Sequence, residues 1–393
     1  RESDLVVINT CTVTSAAAAD SRSKVRSAHR QNPQAKIVLT GCWSNMEPIT
    51  AANLPGVTNV IRNSVKDNLL RELNIEIPST DGGRPLKRTS LPGTRRRTRA
   101  FIKIQDGCDN RCTYCITTLA RGSSRSEQPE TILEDIQLAV DSGVKEIVLT
   151  GVQLGAYGED LSGGDNLSSL VKCILTDTDV RRLRLSSLEP WKLPENFFSL
   201  WKNPRLCRHL HLPLQSGSAR TLRRMGRPIS LDDYASLIHE ARRTIPSLAI
   251  TTDIIVGFPD ERESDFQESL DFIRAMAFSD IHVFTYSPRP GTPAERLSNR
   301  VPAQIVRDRA RKVRAVATAS SQTFMSRFVD HSMPVLWIRS QQTDSHQWSI
   351  SGLTDNYIHI HTLSNTDLWN QLTDARLTSI TKDGGMYAEI INM

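Results

Sequence analysis

The chain has 393 residues, more than the roughly 100–200 of an ordinary domain, so several domains are expected. Hydrophobic residues make up 38% and charged residues 23% of the sequence, which excludes an intrinsically disordered chain. The formal charge of +6 is modest, so any role in binding a polyanion depends on where the positive residues lie.

Targeting and membrane segments are the next classes to exclude. No run approaches the roughly 20 apolar residues of a membrane-spanning helix, and the start of the chain lacks the features of a secretory signal. Seven cysteines, three of them within eight residues, suit metal ligation in a reducing compartment better than a disulfide framework. We therefore expect a cytoplasmic protein with no membrane partner.

Residues 1–77 are predicted to form a small α/β domain with parallel strands. Strand-like runs at 5–8, 36–39 and 57–61 alternate with helix-like segments at 16–31 and 66–73. Cys11 and Cys42 each follow a predicted strand, and the carboxyl ends of parallel strands meet at one edge of a sheet. We expect both thiols to face one crevice, and we expect the amino terminus to be truncated because Arg1 runs almost at once into a strand.

Residues 78–98 are rich in Pro, Gly, Ser and Arg and are predicted to be a linker; its positive run Arg84–Arg99 has no acidic interruption. From residue 99 to about 330, a strand followed by a helix recurs six times. The predicted strands are 100–105, 146–150, 182–186, 208–213, 249–256 and 280–286. Six units favour a partial parallel barrel, since a full eight-fold barrel needs about 250 residues, and barrels of this kind carry active sites on the loops after their strands.

Residues 331–393 follow a basic helix at about 302–328 and are predicted to form a small antiparallel β-barrel. Five short β segments are expected at 334–340, 347–351, 357–362, 375–381 and 386–392, with turns at Gly352 and at Gly384-Gly385. Trp337, Trp348 and Trp369 lie in this region. Two interpretations stay open: the barrel binds RNA, or it is a compact appendage whose aromatic residues fill its core.

Cys108, Cys112 and Cys115 stand in the sequence CDNRCTYC, directly after a predicted strand. Three thiolates this close can hold one metal centre, but a structural zinc takes four protein ligands and no fourth lies nearby. An iron–sulfur cluster with three protein thiolates keeps one iron open to a small molecule, which implies chemistry.

Four other candidate ligands are given ordinary roles. Cys173 and Cys207 are expected to be buried small hydrophobes. His209 and His211 alternate along a strand, and a hydrogen-bonded pair is favoured over a metal site.

Residues at the predicted strand ends are candidates for holding a cofactor. Gly151 permits close approach of the backbone. Ser187 and Glu189 offer a hydroxyl and a carboxylate after the third strand, and Gln215 and Ser216 follow the fourth. The alternative for each is ordinary turn chemistry.

The cysteine triplet resembles the signature of the radical S-adenosylmethionine (SAM) superfamily. The resemblance implies that Cys108, Cys112 and Cys115 bind a 4Fe–4S cluster, that SAM chelates its open iron, and that reductive cleavage of SAM yields a 5′-deoxyadenosyl radical. Tyr114 matches the aromatic position placed near the adenine of SAM.

The chain as a whole is similar to the methylthiotransferases, which insert sulfur into a C–H bond and methylate it. The similar segments are NTCTVT, TGC, DGCDNRCTYC with ARGSSRS, HLHLPLQSGS, TTDIIVGFPDE and YSPRPGTPA. The resemblance implies an α/β amino-terminal domain (1–77), a linker (78–98), a partial (β/α)6 radical SAM barrel (99–330) and a carboxyl-terminal TRAM-like β-barrel (331–393). It also implies a second 4Fe–4S cluster on the amino-terminal domain.

Two departures from the family pattern concern this second cluster and the triplet loop. Cys11 and Cys42 match the second and third ligands of the second cluster, and the first is expected upstream of Arg1. Thr117, Thr118 and Leu119 replace an Ile-Pro-aromatic run, for which we expect local effects on the loop.

Within the family, LSSLEP, HLHLPLQSG and GLTDNYIHI look most like the enzyme that methylthiolates carbon 2 of N6-threonylcarbamoyladenosine (t6A) in tRNA. That resemblance implies a tRNA anticodon stem-loop as partner and an electron donor such as flavodoxin or ferredoxin. The alternatives are the siblings that act on isopentenyladenosine or on a ribosomal-protein aspartate, a radical enzyme without sulfur insertion, and, from another class, a zinc-stabilised RNA-binding protein without turnover.

Overall fold

The structure is a computed structural model that describes residues 3–75, 97–344 and 347–391. The described residues fall into two compact units. The first combines residues 3–75 with 107–124 and 287–298, and the second contains 97–106, 125–286, 299–344 and 347–391. The predicted linker and most of its positive run lie outside the described residues.

The amino-terminal part of the first unit is the predicted parallel α/β domain. Its elements are β1 (Leu5–Thr10), α1 (Ser15–Gln31), β2 (Lys36–Gly41), α2 (Cys42–Met46), α3 (Pro48–Ala52), β3 (Val57–Val60) and α4 (Leu69–Glu72). The three strands pair in parallel in the order β1-β2-β3. The core of this domain contains Val25 of α1, Ile37 and Leu39 of β2, and Trp43 of α2. The apolar residues of the predicted strands and helices are therefore the ones buried between the sheet and the helices.

The central region continues the alternation of strands and helices. Its elements are β4 (Arg99–Lys103), β5 (Gln105–Asp106), α5 (Thr117–Arg121), β6 (Arg125–Ser126), α6 (Pro129–Asp141), β7 (Glu146–Thr150), α7 (Leu167–Asp177), β8 (Arg182–Leu185), β9 (His209–His211), α8 (Ala219–Met225), α9 (Leu231–Thr244), β10 (Ala249–Val256), α10 (Glu263–Met276) and β11 (Asp280–Thr285). Six of these strands match the six predicted ones.

The six strands β4, β7, β8, β9, β10 and β11 form the partial parallel barrel that the sequence predicts. Two three-stranded parallel sheets, β4-β7-β8 and β9-β10-β11, are joined by bridges from Leu183 to Leu206 and from Ser187 to His211. One face of these strands packs its apolar side chains against the helices, with Ile147, Leu183 and Ile250 among them. The other face, called here the inner face, carries charged and polar residues.

The last part of the chain comprises α11 (Ala303–Ser326) and the strands β12 (Ser332–Gln342), β13 (Trp348–Thr354), β14 (His359–Ser364), β15 (Leu372–Ile380) and β16 (Met386–Ile390). The strands close into a barrel in the order β12-β13-β14-β16-β15, antiparallel except where β14 meets β16. Trp337 is fully buried in its core.

The expected turn at Gly352 is wrong. Gly352 lies within β13, paired with Trp337 and Ile360. A Cβ at this position would lie 2.5 Å from Val335 and 2.7 Å from Trp337. The glycine is therefore explained by close packing against β12 rather than by a change of chain direction.

The floor of the six-stranded barrel is a buried ion cluster, called here the floor cluster, formed by Arg99, Glu146, Arg182 and Arg184. Glu146 is fully buried. Its carboxylate forms ion pairs with three guanidiniums, at 2.8 Å from Arg99 Nε, 2.9 Å from Arg184 Nε and 3.1 Å from Arg182 Nε. Burial opposes its ionisation, but the guanidiniums outweigh burial and hold the pKa of Glu146 at about 2.

The turn between β13 and β14 closes this floor. Arg182 donates to Leu353 O at 2.9 Å and Arg184 donates to Asp355 O at 2.9 Å. Tyr357 stacks on the His209 ring with centroids 4.4 Å apart. The small β-barrel is thus tied to the six-stranded barrel by buried, charge-assisted contacts within one compact unit.

Among the described residues, no helix is both long enough and apolar enough to cross a bilayer.

Candidate active site

The cysteine triplet lies in the loop of residues 107–124, which connects β5 to β6. Cys108 N–H donates to Gly122 O at 3.1 Å and closes the base of the loop. Gly107 has a φ of +74°, and a Cβ there would lie 1.9 Å from Ser123 O, so only glycine fits this crossing. Cys108 is buried, whereas Cys112 and Cys115 are partly exposed.

Backbone N–H groups point at two of the three sulfurs. Asn110 N lies 3.4 Å from Cys108 Sγ, and Thr117 N lies 3.4 Å from Cys115 Sγ. Thr117 also has its hydroxyl 3.1 Å from Cys115 Sγ. Donors of this kind stabilise thiolates and tune iron–sulfur clusters. The local effect expected where Thr117 replaces the family's usual residue is therefore visible: its hydroxyl lies beside Cys115, a candidate ligand.

The donor set of the triplet favours a cluster over a mononuclear zinc site. A structural zinc takes four protein ligands. Three cysteines on one short loop fit an iron–sulfur cluster whose thiolate ligands bind different irons.

The second pair of thiols lies at the edge of the amino-terminal sheet. Thr10 and Gly41 are paired in register, so Cys11 and Cys42 follow directly at the same end of neighbouring strands. Cys42 is the first residue of α2. The sequence prediction that these thiols share one sheet edge is confirmed.

The triplet loop contributes a guanidinium to this edge. Arg121, at the end of α5, donates from Nε to Cys42 Sγ at 3.3 Å. Ala120 O accepts from Asn45 at 3.1 Å and from Asn63 at 2.7 Å, which fixes α5 on the amino-terminal domain. Both sets of thiols therefore belong to the same compact unit.

A further residue of that unit lies among the same loops. Arg289, in the segment 287–298, is buried, and it bonds to the hydroxyls of Thr12 and Ser15 beside Cys11. The same segment bonds to the triplet loop through Ala294 N and Thr113 O at 2.8 Å. Sequence reasoning missed Arg121 and Arg289, because nothing in their spacing shows which loop they contact.

Gly151 and Glu189 lie in loops at the carboxyl ends of β7 and β8 in the second unit. Gln105 Oε1 accepts from Val152 N at 2.9 Å and from Gln153 N at 2.7 Å, so this buried amide shapes the loop after Gly151. A Cβ at Gly151 would lie 3.1 Å from that oxygen, so the glycine lets Gln105 pack closely against the loop. Gln105 is another residue that sequence reasoning missed.

Glu189 is almost fully buried at the same end of the barrel. Its Oε2 accepts from Gly155 N at 3.0 Å, and burial raises the pKa of Glu189 to about 7. A buried carboxyl with a pKa near neutrality is typical of functional sites.

Ser187, Gln215 and Ser216 lie at the carboxyl ends of β8 and β9. Ser187 forms a parallel bridge with His211. Gln215 has a φ of +77°, a strained conformation for a residue with a side chain. Ser216 is buried and accepts from Ser218 N at 3.2 Å. Beside Ser187, the buried hydroxyl of Ser186 has no hydrogen-bond partner among the described residues, which fits a site that takes a polar ligand.

The remaining sequence predictions have mixed outcomes. Cys207 is buried as predicted, but Cys173 is partly exposed and donates to Asp177 Oδ2 at 3.0 Å. The prediction that Cys173 is a buried hydrophobe is therefore wrong. Its position on α7, four residues before Asp177, leaves it partly exposed and within hydrogen-bond distance of a carboxylate. His209 and His211 both bond to Thr251 Oγ1, as the hydrogen-bonded interpretation predicts. Tyr114 lies half-buried in the triplet loop.

The six-stranded barrel and cysteine loop define a radical SAM protein: the model of the radical SAM superfamily matches residues 102–273, and that of Uncharacterized protein family UPF0004 matches residues 1–62. The chain belongs to the methylthiotransferases of this superfamily. It is 34% identical to the threonylcarbamoyladenosine tRNA methylthiotransferase of Bacillus subtilis, over 98% of this chain and 87% of the relative.

Two other relatives represent two branches of the family. The threonylcarbamoyladenosine tRNA methylthiotransferase of Thermotoga maritima is 38% identical over 84% of this chain and 77% of its own length. The tRNA-2-methylthio-N(6)-dimethylallyladenosine synthase of Clostridium tetani is 31% identical over 96% of this chain and 86% of its own length.

Among solved structures, the fold is similar to the radical SAM methyltransferase TsrM of Kitasatospora setae with cobalamin and a 4Fe–4S cluster bound. Its TM-score is 0.56 at 17% identity, covering 75% of this chain and 66% of that one. Membership in the methylthiotransferase family implies one 4Fe–4S cluster and SAM, and it sets aside the alternative of an RNA-binding protein without turnover.

Proposed function

We propose that this protein methylthiolates carbon 2 of t6A next to the anticodon of tRNA. The observation that carries the proposal is the placement of two sets of thiols, Cys108–Cys112–Cys115 and Cys11–Cys42, in one compact unit, linked by the Arg121 contact to Cys42. A radical enzyme without sulfur insertion has no need of the second set. Relatives named for t6A at 34% and 38% identity support this substrate.

In this proposal Cys108, Cys112 and Cys115 hold the 4Fe–4S cluster of the radical site. When bound, the cluster and SAM supply one-electron chemistry that opens an unreactive C–H bond. The N–H groups of Asn110 and Thr117 orient and stabilise the thiolates.

Six residues are proposed to bind SAM: Tyr114, Gly151, Ser187, Glu189, Gln215 and Ser216. Glu189 is suited to accept a hydrogen bond from the amino group of the methionyl moiety. Gln105 supports the loop after Gly151 by accepting from the N–H groups of Val152 and Gln153.

Cys11 and Cys42 are proposed as two of the three ligands of the second cluster. The N-terminus of α2 lies at Cys42, and Arg121 adds a positive charge beside its sulfur. Flavodoxin or ferredoxin is the proposed electron donor.

The tRNA is proposed to contact the small β-barrel and α11. A groove on the barrel is lined by exposed Arg339 and His361 together with Trp369. Aromatic and guanidinium planes of this kind stack on unpaired bases, the usual route to selective recognition of RNA. A cytoplasmic location accompanies a tRNA substrate and stays a prediction.

The test is an anaerobic assay with cluster-reconstituted protein, SAM, reductant and anticodon stem-loops carrying either t6A or isopentenyladenosine. We expect the 2-methylthio product by mass spectrometry from the t6A stem-loop, at a rate at least tenfold above the isopentenyladenosine one. If only the isopentenyladenosine stem-loop gave product, the proposal would be wrong, and this protein would have the activity for which the Clostridium tetani relative is named.

A further inference from the structure

Three side chains on the inner face of the six-stranded barrel form a cluster that the proposed function leaves unused. His211 on β9, Asp253 on β10 and His282 on β11, called here the His–Asp cluster, have ligand atoms within 4.8 Å of one another. His211 Nε2 lies 3.4 Å and His282 Nδ1 lies 3.3 Å from the same oxygen, Asp253 Oδ1.

Strand register fixes the direction of these side chains. Asp253 pairs with His282, and Thr251, two residues earlier on the same face, pairs with His211. Their neighbours on the opposite face, Leu210 and Ile254 among them, pack in the core against the helices. The cluster therefore faces inward, not into the helix layer.

The His–Asp cluster adjoins residues proposed to bind SAM. Ser187 is bridged to His211, and Leu188 N donates to His211 O at 2.9 Å. Gln215 N donates to Asp253 O at 2.8 Å.

The cluster offers a half-exposed cation, in contrast to the buried guanidiniums of the floor cluster. The guanidiniums of the floor cluster surround Glu146. His209, which faces the same side, is uncharged at neutral pH because burial and the nearby Arg184 depress its pKa. By contrast, the hydrogen bond with Asp253 raises the pKa of His282, whose side chain is 53% exposed.

Resting on the proposed function, we infer that His282, oriented by Asp253, binds the carboxylate of the threonylcarbamoyl arm of t6A. The arm ends in a threonine whose carboxylate is ionised at neutral pH, whereas the isopentenyl arm of the sibling substrate is a hydrocarbon. The free Nε2 side of the half-exposed His282 can bind the first and gains nothing from the second, which gives discrimination between the two substrates.

A carboxylate already lies on the side of His282 where the substrate's would bind. Asp280 Oδ2 is 3.9 Å from His282 Nε2, beyond hydrogen-bond distance, and Asp280 is more than half exposed. The weak, solvent-screened contact leaves Nε2 open to a closer carboxylate. His211, whose Nδ1 lies 2.8 Å from Thr251 Oγ1, holds Asp253 from the other side.

The experiment pairs a change in the protein with a change in the substrate. Cluster-reconstituted unmodified protein and His282→Phe each receive a t6A stem-loop with the free carboxylate or with its methyl ester, and kcat/KM is measured. For the unmodified protein, the ester should lower kcat/KM about 10- to 100-fold. His282→Phe should lose the same factor on the free acid and show no further loss on the ester.

A matched control separates this contact from the general effect of losing a histidine. His239→Phe, which changes an exposed histidine on α9, should behave as the unmodified protein with both the free acid and the ester.

Three outcomes would overturn the inference while leaving the proposed function intact: equal rates for acid and ester in the unmodified protein, undiminished discrimination in His282→Phe, or one equivalent of a non-iron metal that disappears in His282→Phe. The first needs no variant, so misfolding cannot obscure it. Failure of the proposed function is distinct, since the unmodified protein would then give no product from the t6A stem-loop.

Discussion

Individual thiols in this protein have roles set by their immediate surroundings. Cys115 Sγ accepts from the N–H of Thr117 and donates to its hydroxyl oxygen, and Cys42 Sγ accepts from the guanidinium of Arg121. Cys173 instead lies beside Asp177, whose hydrogen bond and charge, with burial, raise the pKa of its thiol to about 11. A raised pKa disfavours the thiolate that a metal requires, so Cys173 serves as a matched control for the proposed ligands.

Replacing Cys112 with Ala should abolish reductive cleavage of SAM, because two thiolates cannot hold the cluster with one iron open. The measurement is 5′-deoxyadenosine formed by the reconstituted variant. Cys173→Ala should keep the unmodified rate. Sustained 5′-deoxyadenosine from Cys112→Ala would contradict the assignment of the triplet.

Replacing Cys42 with Ala should separate the two sites. Cleavage of SAM should persist, because the triplet is intact, while methylthiolated RNA should fall below detection. Both products are quantified in one reaction by mass spectrometry. Methylthiolation by Cys42→Ala at the unmodified rate would show that the second thiol set is not catalytic.

The carboxyl of Glu189 predicts how SAM binding depends on pH. Because burial raises its pKa to about 7, Glu189 is largely neutral below that pH and must release a proton to accept a hydrogen bond from the SAM amino group. The Kd for SAM should rise about tenfold per pH unit below 7 and level off above it. Glu189→Gln should bind weakly with a flat profile, and an unmodified protein with equal Kd at pH 6 and pH 8 would contradict this role.

At the scale of secondary-structure elements, the sequence predicted the strands of the parallel sheets and of the small barrel, because their apolar residues repeat with the period of the element. It missed the short elements α2, α3, β5, α5, β6 and α8. It failed at Gly352, where a glycine in a strand and a glycine in a turn look alike. It also could not find Gln105 or His282, whose roles depend on which strands pair and in what register. Cys108, Cys112 and Cys115 were accessible because their spacing is local.

The floor cluster, which joins β4, β7 and β8 to the turn after β13, predicts an acid-sensitive fold. The folded pKa of Glu146, about 2, lies below its unfolded value, so its stabilisation is present above about pH 4.5 and is lost as the pH falls toward 2. Glu146→Gln should lower the free energy of unfolding at pH 7 by about 3–5 kcal/mol, since it leaves buried guanidiniums unpaired.

Denaturant unfolding at pH 7 and pH 3 checks this prediction. The difference between Glu146→Gln and the unmodified protein should shrink at the lower pH. Glu240→Gln, which changes an exposed residue of α9, should leave the free energy of unfolding unchanged at both pH values. An equal difference at both pH values would contradict the role of the buried charge.

At the scale of the whole molecule, positive charge is uneven in its availability to a polyanion. Arg307, Arg311 and Arg314 are exposed on α11, whereas Arg309 is buried and paired with Glu261 and Glu263. Arg311 lies 2.8 Å from Asp308, an exposed pair that a phosphate can replace.

The variant with Arg307, Arg311 and Arg314 all changed to Gln should bind tRNA more weakly. The slope of log K against log salt concentration should fall by roughly 0.7–0.9 per lost contact. Cleavage of SAM without RNA should be unaffected, and Arg274→Gln, an exposed residue of α10, should leave the slope unchanged. An unchanged slope in the triple variant would show that this face is merely solvated, and the positive run Arg84–Arg99 would be tested next.

The most direct test of methylthiolation at t6A is mass spectrometry of tRNA nucleosides from cells that lack the gene for this protein. The 2-methylthio form of t6A should disappear, with t6A accumulating in its place, and a plasmid copy of the gene should restore it while a Cys112→Ala copy should not. Undiminished 2-methylthio-t6A in the deletion strain, or loss of the methylthiolated isopentenyl nucleoside instead, would contradict the account.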